Sequence, residues 1–137
     1  MQTTLRITKL FLAILLWASL ISAATPRAKA TKQQPHFSGL ASWYGIQHQG
    51  RPMANGQPFD RFKLTAACWS LPLGTKIRVV NVKNGKSVVV TVTDRGPHRR
   101  LRRVLDLSQS AAEQLGYLDE GLTQVSYTPV AGPLQRL

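Results

Sequence analysis

Ser87-Val88-Val89-Val90-Thr91-Val92-Thr93-Asp94-Arg95-Gly96-Pro97 is the stretch that decides how this chain folds. Its valines and threonines are β-branched and run without a charge or a breaker, which predicts a buried strand. Asp94 then ends the run directly before Arg95-Gly96-Pro97, a cation followed by two strong breakers. Two jobs suit a carboxylate at a strand end. It can accept turn amides or pair with Arg95, as strand-end aspartates often do, or it can present a general acid to a cleft. The choice is narrowed by scarcity, because the chain has only six acidic residues, Asp60, Asp94, Asp106, Glu113, Asp119 and Glu120.

Upstream of this strand, Asn84-Gly85 is a type I′ hairpin signal that pairs Thr75–Val82 with Lys86–Thr93. Further back, Leu71-Pro72-Leu73-Gly74 reads as a turn and Leu64–Ala67 as a short buried strand. Phe59–Phe62 reads as a helical turn, Ile46–Pro58 as a long polar loop, and Gly39–Tyr44 as a strand stopped by Gly45. Downstream, Val104–Leu107 is a short strand, and Ser108 caps a helix through Leu115 that Gly116 stops. Leu122–Thr128 alternates as a last strand. Six or so short strands with one short helix predict a mainly β, compact barrel over residues 37–130.

The first residues read as an export signal. Arg6 and Lys9 precede the apolar run Leu10–Ile21, and small residues follow it. Cleavage is expected after Ala24 or after Ala30, leaving residues 25–36 as a flexible leader, with 131–137 as a tail. The run is short for a membrane span, so the mature protein is expected to be periplasmic or extracellular, without stable membrane insertion, and monomeric. Cys68 is the single cysteine. This excludes an internal disulfide and leaves no lipid-acceptor cysteine near the signal. The formal net charge of +12 would suggest nucleic acid inside a cell. Export redirects it to cell-wall polymers and lipid head groups. The block His98-Arg99-Arg100-Leu101-Arg102-Arg103 is either a solvated loop or a steering patch for an anionic ligand beside Asp94.

Seven blocks stand in order: Gly39–Gly45 (GLASWYG), Ala54–Asp60 (ANGQPFD), Leu64–Cys68 (LTAAC), Leu71–Thr75 (LPLGT), Arg78–Asn81 (RVVN), Asp94–Pro97 (DRGP) and Leu105–Ser108 (LDLS). Together they resemble the rare lipoprotein A (RlpA) family over about residues 37–130. The resemblance implies a six-stranded double-psi β-barrel and a lytic transglycosylase that cuts peptidoglycan strands lacking stem peptides. It implies no metal and no cofactor. The sugar's own 6-hydroxyl attacks the anomeric carbon, giving 1,6-anhydromuramic ends, so one carboxyl can serve as acid and then as base, or two can share the work. Stripped strands also expose lactyl carboxylates, which suit a basic groove.

The family's pattern places a glutamate at Gln57, a histidine at Cys68 and an aspartate at Asp94, and only Asp94 is kept. Asp94 is therefore the expected catalytic residue. Gln57, Cys68, Arg95, Tyr44, Trp43 and Asn55 are the expected substrate contacts. Of Trp43 and Tyr44, one is expected in the core and one at the groove. Cys68 is read as a small buried hydrophobe before a nucleophile, since His36, His48 and His98 fall in leader or loop. Asp106 is expected to cap the helix, Asp60 the turn beside it. The alternative function is an expansin-like barrel that binds glycan without turnover. A purely structural role would leave the Asp94 turn without a job. Family members often carry a C-terminal peptidoglycan-binding module, and none is expected after residue 137.

Overall fold

The computed structural model describes residues 34–130, so the expected signal, most of the expected leader and the expected tail lie outside the described residues. Six strands, β1 (Phe37–Trp43), β2 (Thr65–Ala67), β3 (Lys76–Asn81), β4 (Ser87–Asp94), β5 (Arg103–Leu107) and β6 (Thr123–Pro129), close into a barrel in the order β1-β5-β2-β4-β3-β6. The β1/β5 and β2/β4 pairs are parallel and the other four are antiparallel. This is the mainly β barrel with one helix, α1 (Gln109–Leu115), that the sequence predicts. Two short 3-10 turns occupy Ile46–His48 and Arg99–Leu101.

The strand that opens the sequence reading supplies the core. Val88, Val90 and Val92 point inward and are buried, while Val89, Thr91 and Thr93 are half-buried. They meet Ile77, Val79, Leu105, Leu107, Val125 and Tyr127 from the other strands. Ser108 caps α1 by accepting the Ala111 N–H, and Gly116 closes it in the left-handed conformation. Its buried face is Ala111, Ala112 and Leu115. Two alanines of three let the helix axis come close to β4 and β1, against which it packs.

Three local expectations change. Asn84-Gly85 does not form a two-residue type I′ turn. Asn81 pairs with Lys86 around a longer loop, and only Gly85 takes a positive φ, 75°. The reason is that Asn84 is used elsewhere: its Oδ1 accepts the Lys86 N–H and its Nδ2 donates to the Leu115 carbonyl. Phe59–Phe62 is no helical turn either. Phe59 pairs with the Gly50-Arg51 segment, and a tight turn over Asp60–Lys63 follows, capped by Asp60 Oδ1 on the Phe62 N–H. Asp106 does not cap the helix, because Ser108 does so and Asp106 is the fourth residue of β5.

Asn81 ties three elements together. Its Nδ2 donates to the Leu115 carbonyl, while Oδ1 accepts from the Lys83 N–H and the Thr123 hydroxyl, all with the side chain buried. Asn81→Ala leaves these groups without partners and is expected to lower the unfolding free energy by about 2–3 kcal/mol. Urea titration with an unchanged slope checks this.

Candidate active site

Asp94 closes β4 at a cleft of about 220 Å³ lined also by Tyr44, His48, Arg51, Pro52, Met53 and Phe59. Its Oδ1 accepts the backbone N–H groups of Ala54 (2.9 Å) and Arg95 (2.8 Å). Asp94 therefore does serve its own turn, and both turn amides use Oδ1 alone. The Ala54 contact folds the 52–58 loop over the strand end, helped by Asn55 N–H on the Thr93 carbonyl at 3.2 Å. Pro52 and Pro58 bridge the base of that loop.

Register brings a second carboxylate to the same place. A bulge between Ala66 and Ala67 sets Ala67 opposite Asp94 on β4, and the antiparallel ladder sets the same Ala67 opposite Asp106 on β5. Residues directly opposite in a sheet share a face. Without the bulge Asp94 would continue the inward series of Val88, Val90 and Val92, so the irregularity re-aims it. The two aspartates flank β2 at two strand spacings, roughly 10 Å between Cα atoms.

Their environments differ. Asp106 is 5 % exposed and contacts Arg103 through Nε–Oδ1 at 3.1 Å and Nη2–Oδ2 at 3.3 Å. Only the second contact has hydrogen-bond geometry, so Arg103 Nε and Asp106 Oδ1 both lack a true hydrogen-bond partner among the described residues. Burial raises the Asp106 carboxyl above the usual value, and Arg103 and His48 offset that only in part, while Asp94 adds to it. Tyr44 stands between the two acids. Burial, then the charges of Asp106 and Asp94, and a hydrogen bond to Asp94 hold its hydroxyl protonated far above the ordinary phenol range. The Tyr44 ring rests on His48 (4.8 Å between centroids) and edge-on to Phe59 (5.4 Å). His48 Nδ1 is enclosed with no hydrogen-bond partner among the described residues.

Gly96 makes this approach possible. Its φ is +155°, and a Cβ there would stand 3.2 Å from the Tyr44 hydroxyl and 3.3 Å from the Ala67 Cβ. Gly96→Ala is expected to destabilise the fold by about 1–3 kcal/mol and to displace Tyr44 from Asp94. Thermal denaturation checks this, and the melting temperature should fall.

The other expected contacts are dispersed. Arg95 is a fixture of the loop: its Nη1 donates to the carbonyls of Cys68 and Leu71, both at 2.7 Å, which directs the guanidinium away from its own neighbour's carboxylate. Cys68, expected at the substrate, is 0 % exposed, with Sγ 3.2 Å from the Ser70 hydroxyl and 4.0 Å from that of Tyr127. It touches no open surface. Trp43 packs against the core while Tyr44 lines the cleft. Gln57 and Asn55 are exposed, and Asn55 Oδ1 accepts the Gln57 N–H in an Asx turn. His48 and Phe59 line the cleft and Asp106 lies behind it, whereas the sequence assigns His48 to a loop, Asp106 to helix capping and no site role to Phe59. A hint was available for His48, four residues after Tyr44. Among the described residues, no three histidine, cysteine or acidic side chains gather as a metal site would require.

Residues 36–127 match the family model described as lytic transglycolase. The chain belongs to the RlpA family. It is 49 % identical over 87 residues to the endolytic peptidoglycan transglycosylase RlpA of Pseudomonas aeruginosa, covering 64 % of this chain and 25 % of that protein. To the probable RlpA transglycosylase of a Nostoc species it is 46 % identical over 105 residues, 75 % of this chain and 28 % of the relative. The chain thus spans about a quarter of the length of these two relatives, and 47 % of the RlpA of Rickettsia felis. Among solved structures, the expansin of Clavibacter michiganensis aligns with a TM-score of 0.56 and 28 % identity, over 72 % of this chain and 52 % of that one. The Streptomyces papain inhibitor aligns at 0.57 and 26 %, over 71 % and 96 %. An inhibitor and an expansin on the same barrel mean that the RlpA fold alone does not dictate chemistry. The site must be argued from its residues.

Proposed function

We propose that this barrel is a lytic transglycosylase that acts outside the cytoplasm on peptidoglycan glycan strands, favouring those without stem peptides and leaving 1,6-anhydromuramic ends. The observation that carries this reading is the pair of carboxylates set across Ala67, Asp94 open to the cleft and Asp106 enclosed behind it. Gln57 cannot transfer a proton, so the proton work falls to Asp94. Asp94 gives a proton from Oδ2 to the glycosidic oxygen as the bond to the anomeric carbon breaks. The 6-hydroxyl oxygen of the same sugar bonds to that carbon, and Asp94 takes up the hydroxyl proton, which restores the acid without consuming water. The two backbone amides on Oδ1 hold the carboxyl in one orientation through both transfers. Tyr44 and Asp106 are positioning residues that fix the polar side of the cleft. Exposed Arg99, Arg100 and Arg102 supply the positive potential that gathers an acidic polysaccharide.

Gln57 favours a second reading, in which the domain binds glycan without cutting it. A point mutant of the Clavibacter expansin, aligned at a TM-score of 0.56, is a complex with cellohexaose. Incubation of the purified protein with peptide-free glycan strands separates the two. Release of soluble fragments supports the enzyme, and sedimentation of the protein with uncut strands supports the binder.

A further inference from the structure

A second cavity, of about 300 Å³, is lined by Phe37, Ser38, Trp69, Ser70, Arg103, Val104 and Tyr127 and shares no lining residue with the Asp94 cleft. Two of its lining residues, Trp69 and Arg103, connect it to the carboxylate pair. Trp69 follows Ala67 by two residues, and Arg103 is the partner of Asp106. The cavity therefore abuts the carboxylate pair on the β2–β5 side.

Its surfaces have the chemistry of a sugar site. Phe37 and Tyr127 stack with ring centroids 5.0 Å apart and planes 15° from parallel. The Tyr127 hydroxyl hydrogen-bonds the Ser70 hydroxyl at 3.0 Å. Trp69 is 50 % exposed, yet it is not loose: its Nε1 donates to the Pro97 carbonyl at 2.7 Å, and the Arg99 guanidinium lies 5.2 Å from its ring centroid. A large apolar ring held fixed and half in water, with its one polar atom already satisfied, offers a flat face at little ordering cost. A pyranose presents an apolar face of C–H groups and a rim of hydroxyls, which matches aromatic walls edged by Ser38 and Ser70. The volume lies at the lower end of the range for small-molecule sites. Arg99, exposed and set against the Trp69 ring, brings a positive charge that suits a sugar carrying a negative one.

We propose that this cavity is a second glycan subsite, in which Trp69 stacks on a carboxylate-bearing N-acetylhexosamine ring and Arg99 reads its carboxylate. The assignment deepens the proposed function and rests on its substrate class. A strand held here and in the Asp94 cleft is anchored on both sides of the carboxylate pair.

Trp69→Ala and Ser38→Tyr test the subsite from opposite directions, the first removing the platform and the second filling the cavity from an exposed strand position. Binding to peptide-free peptidoglycan strands is measured beside binding to neutral chitooligosaccharides, with melting temperatures as the folding control. Both variants are expected to weaken strand binding at least about tenfold, raising KM with kcat nearly unchanged. Arg99→Gln is expected to remove the preference for the acidic strands over the neutral ones. Trp69-dependent binding without any cleavage would uphold the subsite while overturning the transglycosylase reading. Cleavage with an unchanged KM, or strand binding indifferent to both substitutions, would overturn the subsite.

Discussion

Replacing Asp94 by asparagine will lower the rate of glycan scission by about 10²–10⁴-fold and leave the barrel folded. Asparagine keeps an oxygen for the Ala54 and Arg95 amides that Asp94 Oδ1 now accepts, so the loop over the strand end retains its anchor. What the variant loses is the proton. Because Gln57 offers no acid and Asp106 is enclosed, no other carboxyl among the described residues lines the cleft to stand in. Product formation on peptide-free strands, with circular dichroism and melting as folding controls, gives the readout. Strand binding should survive, since the aromatic walls and surface arginines are untouched. A variant that still cuts within a few fold of the parent would move the chemistry away from this strand end.

The second large effect is on stability. Arg103→Ala removes the cation paired with Asp106 and strands a buried carboxylate, at a cost of about 3–5 kcal/mol near neutral pH. The sign with pH is distinctive. The Asp106 carboxyl already titrates above the ordinary 3.8 in the folded protein, chiefly through burial, with Arg103 holding it down. A carboxyl raised in the folded state contributes stability that is present below 3.8 and is lost as pH rises through its folded value. Without Arg103 that value climbs further, so the loss reaches deeper into the neutral range. The gap between parent and variant should be widest at about pH 7 and shrink on acidification towards about pH 4. Urea unfolding across that span measures it, and a gap independent of pH would mean that Asp106 is neutral in both proteins.

Much of the barrel is written in local patterns. The β-branched run ending at Asp94, the cap at Ser108 and the stop at Gly116 each act over a few residues and are found where the sequence puts them. The closing ladder is a different matter, because the parallel β1/β5 and β2/β4 pairs join residues far apart in the chain. The family resemblance supplied that topology where periodicity had no means to do so. The Asn84-Gly85 turn went astray for a tertiary reason: the helix end at Leu115 needed a donor, and Asn84 provides it.

In the candidate site, the placement of Asp94 at a strand end was legible because a run stopped by Arg-Gly-Pro is a local event. Asp106 was not. Its importance depends on a one-residue bulge at Ala66/Ala67 and on burial against Arg103, neither of which leaves a mark in an Asp-Leu-Ser tripeptide. Arg95 misled in the opposite sense, since a cation beside an acid looks like a ligand grip until its two carbonyl partners are seen. Cys68 followed its chemistry, as a small apolar side chain in the core, and not its place in the family pattern.

The proposed scission at Asp94 consumes no water. Peptide-free strands digested in ¹⁸O-labelled water and analysed by mass spectrometry should show 1,6-anhydro ends free of ¹⁸O with the parent protein and none with Asp94→Asn. Reducing ends carrying ¹⁸O would make the enzyme a hydrolase, and uncut strands that still retain the protein would make the barrel a glycan binder.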